Sequence, residues 1–385
     1  MISRALTLPN RSFFLLGPRG TGKSTWLRQL LPNAKWYNLL HNIELLRLSS
    51  NPNFFRQEIE LLPNQSWIVV DEVQRMPTLL NEVQDLISSN QPGRYHFALT
   101  GSSARKLKRS GVNLLAGRAI NRQMYTLTSD EVDFKITPEQ VMRFGMLPDV
   151  YCANNEQDRI DILEAYVDTY LREEIKEEAL IRKLEPFLRF LQVAALMNGQ
   201  LSNLSNIGRD ASIKRPTVEG HYSVLEDTLL GFWLSAWQPR AKIKEISHPK
   251  FYFFDPGVVR TLSGRLREPL EETDRGVLLE TFLMNEVRAW ISYRNTGGKI
   301  YYWRTPSQTE IDLVYVSGKT AVGVEIKSSL KWKREFSRPL KELIFEKKIK
   351  SGFGVYLGDH NLKDGKLTVL TLMSFLKKLW ANEIF

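Results

Sequence analysis

Apolar runs punctuate the N-terminal third of the chain, and each ends in glycines, hydroxyls or carboxylates. Phe13-Phe14-Leu15-Leu16 leads into the glycine-rich stretch Gly17 to Ser24 and then into a helix-like segment, Thr25 to Leu31. Ala34 to Leu40 reads as a second strand, and Ile43 to Leu48 as a short helix. Trp67-Ile68-Val69-Val70 is a continuous apolar run, as expected of a strand buried on both faces, and it ends in Asp71-Glu72. Leu79 to Ile87 has helical spacing, Gln91-Pro92-Gly93 reads as a turn, and Tyr95 to Ser102 as a strand ending in polar residues. A helix ending at Leu114 to Arg118 precedes a last strand, Gln123 to Leu127. From Ser129 to Glu178 the apolar positions are helical. Three further helices follow, Phe187 to Met197, Leu201 to Arg209 and Thr217 to Leu230, with Thr217 as the expected N-cap of the third. Lys242 to Phe254 reads as a hairpin-like wing closed by Asp255-Pro256-Gly257. Gly276 to Ile291 is an amphipathic helix, and Ile300 to Arg304, Glu310 to Val316 and Ala321 to Lys327 are strand-like.

The stretch Gly17-Pro18-Arg19-Gly20-Thr21-Gly22-Lys23-Ser24 between strand and helix fits the phosphate-binding loop. In that pattern backbone N–H groups wrap the phosphates, the lysine reaches the β and γ phosphates, and the hydroxyl helps hold Mg²⁺. The helix start adds unpaired N–H groups and the positive end of its dipole. Gly17 to Ser24 with Thr25 is therefore the expected ATP cradle. Open parallel sheets place ligands at the carboxyl ends of their strands. Asp71 is then the expected Mg²⁺ partner with Ser24, and Glu72 the group that polarises the attacking water. Thr100, Ser102 and Ser103 end a strand expected beside the loop, and of these Ser102 is preferred as a sensor of the γ-phosphate.

Composition narrows the setting. A chain of 385 residues with 43% hydrophobic and 25% charged residues implies two or three globular domains. No apolar run reaches the roughly 18 to 20 residues that span a bilayer, and no signal-like segment precedes the glycine loop. The expectation is a cytoplasmic protein without a membrane partner. The single cysteine, Cys152, excludes an internal disulfide framework and a cysteine-rich zinc site. A net charge of +10 favours acidic partners such as DNA. One basic stretch holds Arg105, Lys106, Lys108, Arg109 and Arg118. A second, Lys327 to Lys350, interleaves lysines and arginines with Trp332 and Phe336, a mixture suited to nucleic acid.

The last third carries a second constellation. Asp312 and Glu325 interrupt otherwise buried strands, and the alternation of side chains puts Glu325 and Lys327 on one face with Ile326 turned into the core. Two carboxylates with a lysine at one remove can hold a hard cation for phosphodiester cleavage, or form a charge-paired cluster in a fold used for binding.

Gly17 to Ser24, Trp67 to Glu72 followed by Val73-Gln74-Arg75-Met76-Pro77, Leu99 to Ser103 and Leu115 to Arg118 together resemble an AAA-type ATPase of the prokaryotic family that carries a C-terminal DUF4143 region. The resemblance implies an α/β fold with a P-loop AAA-type parallel sheet over residues 1–134 and a helical lid or connector over 135–182. It further implies a winged-helix domain over 183–264. There Arg209, Lys214, Arg215 and His221 are candidate DNA contacts. In AAA enzymes an arginine just before the fifth strand commonly reaches a neighbouring subunit's nucleotide. That role falls on Arg118, with Arg105 as its competitor, and implies a homo-oligomeric ring, a hexamer being one form. Arg172, with Glu173 and Glu174, is a further candidate to monitor the nucleotide. Residues 265–385 resemble the PD-(D/E)XK nuclease fold, with Asp312 and Glu325-Ile326-Lys327 in the motif positions and Glu280 as the helix-borne acid. No proline precedes Asp312, a departure from the motif. The function expected is Mg²⁺-dependent ATP hydrolysis coupled to DNA, through translocation, branch migration or cleavage; the rival is a nucleotide-gated scaffold.

Overall fold

The computed structural model describes residues 2–89, 93–103, 115, 117–171, 184–238 and 248–385. The expectations for Gln91 and Pro92, for Arg105, Lys106, Lys108 and Arg109, for Arg172, Glu173 and Glu174, and for residues 242–247 lie outside them. The chain divides into two compact units, one of residues 6–125 with 224–230 and one of residues 1–5, 126–223 and 231–385. Among the described residues no helix is long and apolar enough to cross a membrane.

The first unit is built on a parallel sheet of β1 (Phe13–Leu16), β2 (Lys35–Asn38), β3 (Ser66–Asp71), β4 (Tyr95–Gly101) and β5 (Ile120–Gln123), in the order β2-β3-β4-β1-β5. All four pairings are parallel. Ile68, Val69 and Val70 of β3 and Phe97, Ala98 and Leu99 of β4 are fully buried, which is why these strands read as unbroken apolar runs. β4 lies between β1 and β3, so the ends of the glycine-loop strand, the Asp71 strand and the Thr100 strand share one edge. The helices Asn42–Ser50, Asn53–Glu60 and Leu79–Ser89 accompany the sheet, and Leu48, Phe55, Ile59, Leu79, Leu80 and Val83 join its core. The second of these helices was not foreseen. The last strand is displaced from its expected place: β5 covers Ile120–Gln123, and Met124 to Leu127 lie beyond it. The polar Asn121-Arg122-Gln123 suits an edge strand with one neighbour, where β1 supplies the backbone partners and no apolar run is needed.

In the second unit, the helices Pro138–Phe144, Pro148–Cys152 and Glu156–Ala165 precede three more, Leu184–Leu196, Leu204–Asp210 and Arg215–Asp227. The last of these begins two residues ahead of Thr217, because Pro216 with its fixed φ suits a first turn. β6 (Gly231–Leu234) and β7 (Lys250–Phe253) then pair antiparallel, and Leu201 bridges to Lys250 from the segment between the first two of the three helices. Asp255 does not close a turn. It caps a helix, Pro256–Leu262, by accepting from the N–H groups of Gly257 and Val258. A mixed sheet completes the unit: β8 (Lys299–Arg304), β9 (Glu310–Ser317), β10 (Thr320–Lys327), β11 (Ser351–Tyr356), β12 (Leu362–Asp364) and β13 (Leu367–Thr371), in the order β12-β13-β11-β10-β9-β8. The helix Glu272–Tyr293, expected over Gly276 to Ile291, buries Leu278, Leu279, Phe282, Leu283, Val287 and Trp290.

Candidate functional site

At the carboxyl edge of the first sheet, the chain leaves β1 into Gly17, where a Cβ would come within 2.4 Å of the Met124 carbonyl oxygen, so no larger residue fits. Thr21 donates to the Pro18 carbonyl at 2.8 Å, which closes the loop on itself. Gly22, at φ 87°, turns the backbone into the helix Lys23–Leu30, whose start has no side-chain cap, as a helix N-terminus that receives an anion requires. Lys23 is buried and donates to the carbonyl oxygens of Gly17 and Pro18 at 2.8 and 3.0 Å. Arg19, Gly20 and Thr25 are exposed at the rim.

β3 delivers Asp71 and Glu72 to this edge. Ser24 Oγ donates to Asp71 Oδ1 at 2.9 Å, which sets a hydroxyl and a carboxylate side by side. They are hard oxygen donors of the kind Mg²⁺ takes, so the residues fit that ion. Thr100 Oγ1 donates to the same carboxylate oxygen and accepts from the Glu72 N–H, tying β4 to the end of β3. Glu72 has φ 60° and ψ 50°, a left-handed conformation uncommon for a side-chain-bearing residue. Its carboxylate accepts from Gln74 Nε2 and from Ser102 Oγ, the latter at 3.3 Å, while Gln74 Nε2 also donates to Ser102 at 3.0 Å. Glu72, Gln74 and Ser102 are thus one buried cluster beside the Ser24–Asp71 pair.

In the second unit, Glu280, Asp312, Glu325 and Lys327 also come together, joined by Lys250, Tyr252 and Glu310. Asp312 Oδ2 accepts from the Ile326 N–H at 2.7 Å, and Lys327 Nζ lies 2.5 Å from Glu325 and 3.5 Å from Asp312. Lys250 pairs with Glu310, which Arg304 also approaches at 3.2 Å. Tyr252 donates to Glu280 at 2.9 Å. Burial and then the Asp312 charge push the Glu280 and Glu325 carboxyls upward. Burial alone would lower Lys327, but Asp312 and Glu325 outweigh it and raise its pKa. Two lysines thus occupy the ground among the carboxylates. Among the described residues no group of three or more Asp, Glu, His or Cys side chains is arranged to hold a metal ion.

Family models match three stretches of the chain. One describes an AAA domain and covers residues 9–132, and one is DUF4143, over residues 275–375. The chain is an AAA-type ATPase with a C-terminal DUF4143 region. Between the two, residues 137–268 match a third family, DUF8612, a domain of unknown function. Uncharacterised proteins of Mycobacterium bovis and Mycobacterium tuberculosis are each 25% identical over 352 residues, covering 90% of this chain and 76% of the relative. Among solved structures, a signal-transduction ATPase with a tetratricopeptide repeat sensor from Pyrococcus horikoshii aligns at 15% identity over 76% of this chain. This chain spans about half of it, 48%, with a TM-score of 0.23. The DNA clamp loader delta protein of Bacillus subtilis aligns at 14% identity over 72% of this chain and 96% of its own, with a TM-score of 0.25. Scores this low support no argument.

Other anticipated residues fall in varied places. Arg118 of the AAA domain precedes β5, whose Ile120 faces Phe13 at the start of β1, at the edge of the sheet away from the glycine loop. It is exposed and donates to Ser88 at 2.8 Å. Ser103 is buried at the end of β4. Arg209, Lys214 and Arg215 are exposed, but His221 is not available to a ligand. It packs against Phe187 and Phe190 at ring-centroid distances of 4.8 and 5.1 Å, and burial lowers its pKa to about 4. In the DUF4143 region, Trp332 is half-buried over Gly354 and donates to Ser337, so part of its ring packs the fold. Gln74 and Lys250 escaped the sequence reading as site residues, and Thr100, a candidate there beside Ser102, instead joins Asp71 to the Glu72 N–H. Gln74 lies two positions past the acidic pair, and Lys250 directly precedes the apolar Phe251-Tyr252-Phe253; a polar side chain in such company was the available signal.

Proposed function

We propose that the chain is a Mg²⁺-dependent ATP-hydrolysing switch that works on DNA as a ring of identical subunits. The observation that carries the hydrolytic reading is the held position of Glu72, fixed by Gln74 and Ser102 beside the Ser24–Asp71 pair. The glycine-loop N–H groups and Lys23 bind the phosphates, with Lys23 exchanging its two carbonyl partners for phosphate oxygens. Bound Mg²⁺, held through Ser24 and Asp71, supplies charge neutralisation on the β and γ phosphates. Glu72 orients the attacking water and takes its proton, and Ser102 sits where it can report the γ-phosphate. Lys23→Ala should abolish ATP binding, whereas Glu72→Gln should bind ATP and turn it over slowly, because only the group that activates water is lost. Full turnover by Glu72→Gln would move the base elsewhere.

Support for DNA comes from the net charge and from the exposed Arg209, Lys214 and Arg215. These belong to a segment ordered helix, strand bridge, helix, helix, hairpin, which is the order of a winged-helix module. Salt-sensitive binding of duplex or four-way-junction DNA, with stimulation of the ATPase, tests this; no binding at low salt would leave the nucleotide-gated scaffold as the better reading. The acidic cluster favours that second reading for the C-terminal region, since its carboxylates are paired with Lys250 and Lys327. On this reading the DUF4143 region binds without cutting. Nicking of plasmid DNA with Mg²⁺ or Mn²⁺ that Asp312→Ala abolishes would reverse the assignment.

A further inference from the structure

At the end of the C-terminal sheet away from the acidic cluster, a cavity of about 920 Å³ opens between the β9–β10 turn, the helix Arg338–Phe345 with the segment after it, and the β12–β13 turn. It lies at the start of β10, whereas Glu325 and Lys327 lie at its finish, about 17 Å along the strand at the usual rise per residue. The two sites are separate. Six lysines line the cavity: Lys319, Lys341, Lys347, Lys348, Lys350 and Lys366. Lys341 is paired with Asp364 and Lys348 with Glu346. The other four are exposed and have no carboxylate partner among the described residues. The floor is apolar, formed by Ala321, Ile344 and Ile349, and at the rim Phe345 presents its ring to solvent with 88% of its surface exposed.

Unpaired lysines alone would make a solvated face. Here they surround a concavity near the upper end of the usual range for small-molecule sites, roughly 300 to 1,000 Å³, with an aromatic ring free to stack. A ligand that suits both features carries repeated negative charge and flat apolar faces together. An acidic peptide supplies the charge but leaves Phe345 and the floor uncovered. Duplex DNA buries its base faces within the stack. A single strand meets all three demands: phosphates for the lysines, a base on Phe345, and flexibility to enter a pocket.

We propose that this cavity binds single-stranded nucleic acid, with Lys319, Lys347, Lys350 and Lys366 on phosphates and a base stacked on Phe345. The proposal deepens the reading of the chain as a DNA-acting protein, yet it concerns a different surface from Arg209, Lys214 and Arg215. Fluorescence anisotropy of labelled dT12 with the full chain, without nucleotide, tests it. Lys347→Gln with Lys350→Gln should weaken binding and lower the slope of log K against log salt by about 1.4, at about 0.7 for each phosphate that a lysine no longer neutralises. Phe345→Ala should weaken dT12 about five-fold or more while leaving an abasic strand of equal length unaffected. Both variants should keep the wild-type ATPase rate. Unchanged dT12 binding in both variants would overturn the proposal, and loss confined to Arg209, Lys214 and Arg215 substitutions would overturn it while leaving the DNA reading intact. Binding of polyglutamate at equal strength, insensitive to Phe345→Ala, would reassign the cavity to an acidic protein partner.

Discussion

Glu72 is held in a left-handed backbone conformation that costs a side-chain-bearing residue energy, and the surroundings keep it there. Its N–H is bound to Thr100 and its carboxylate to Gln74 and Ser102, so two side chains hold the carboxylate and a third holds the backbone that carries it. Gln74 is the least replaceable of them. Its Oε1 lies where a Cβ on Gly101 would approach within 2.8 Å, so the glycine is what admits the amide. Gln74→Leu should keep the affinity for ATP and lower kcat, by up to about 10²-fold, since a small misplacement of an orienting group carries that penalty. Steady-state kinetics checks this: a raised KM with unchanged kcat would place Gln74 in binding instead. The glycine loop and the acidic pair were legible because each motif is contiguous. Gln74 and Lys250 were not, since their roles arise where separate strands and turns meet, which spacing along the chain does not encode. His221 was misjudged for the opposite reason: on a helix with basic neighbours it looked exposed, but its position on the Phe187 and Phe190 side is fixed only by packing.

Elements in the second unit are joined by two buried carboxyl groups. Asp255 caps the helix Pro256–Leu262 with Oδ1 and accepts the Met146 N–H at 2.7 Å with Oδ2, so both oxygens are engaged. An asparagine keeps one acceptor, and Asp255→Asn leaves either the cap or Met146 unpaired. Losing a cap costs about 0.5 to 2 kcal/mol and an unsatisfied buried N–H about 1 to 3 kcal/mol. Asp255→Ala, which loses both, should lower stability by roughly 2 to 4 kcal/mol in denaturant titration; a change below the cost of a single cap would show that water replaces both bonds. Glu286 joins the helix Glu272–Tyr293 to Ser129 and to the Trp380 indole. Burial pushes Asp255 from an ordinary 3.8, and Glu286 from 4.5, up to about 7 despite these donors. Between roughly pH 4 and 7 the folded chain therefore holds protons that the unfolded chain releases. Their stabilising contribution is full below the unfolded values and lost as pH rises through 7, at about 1.4 kcal/mol per pH unit for each group. Glu286→Gln keeps a neutral group there, so calorimetric melting should show the variant gaining on the wild type between pH 5 and 8. A constant difference between the two across that range would mean that Glu286 is ionised throughout. In this unit β8, β9, β10 and the helix Glu272–Tyr293 were legible from their apolar periodicity, whereas β6 and β11 to β13 drew no reading. The Asp255 cap was not, because Asp-Pro-Gly serves as readily for a turn as for a helix start, and the choice rests on Met146, more than a hundred residues earlier.

For the whole molecule, the open question of assembly turns on Arg118. It stands at the head of β5, a four-residue strand away from its own glycine loop, or roughly 10 Å at the usual rise. There it donates to the neutral hydroxyl of Ser88, and among the described residues no carboxylate holds its charge in place. An exposed guanidinium so placed completes a nucleotide site only if a second copy brings its own phosphate loop to it. Arg118→Ala should then bind ATP as the wild type does and lose about 10³- to 10⁵-fold in turnover, the usual worth of an arginine finger. Arg118→Lys should rescue little, because a point charge does not reproduce the planar fork. Mixing supplies the decisive measurement. Added to wild type at increasing fraction, Arg118→Ala subunits should depress activity per wild-type chain, since each leaves a neighbour's site incomplete. Activity that stays proportional to the wild-type fraction, or a specific rate that does not fall on dilution to the monomer, would show that each chain hydrolyses ATP alone and would remove both the finger and the ring.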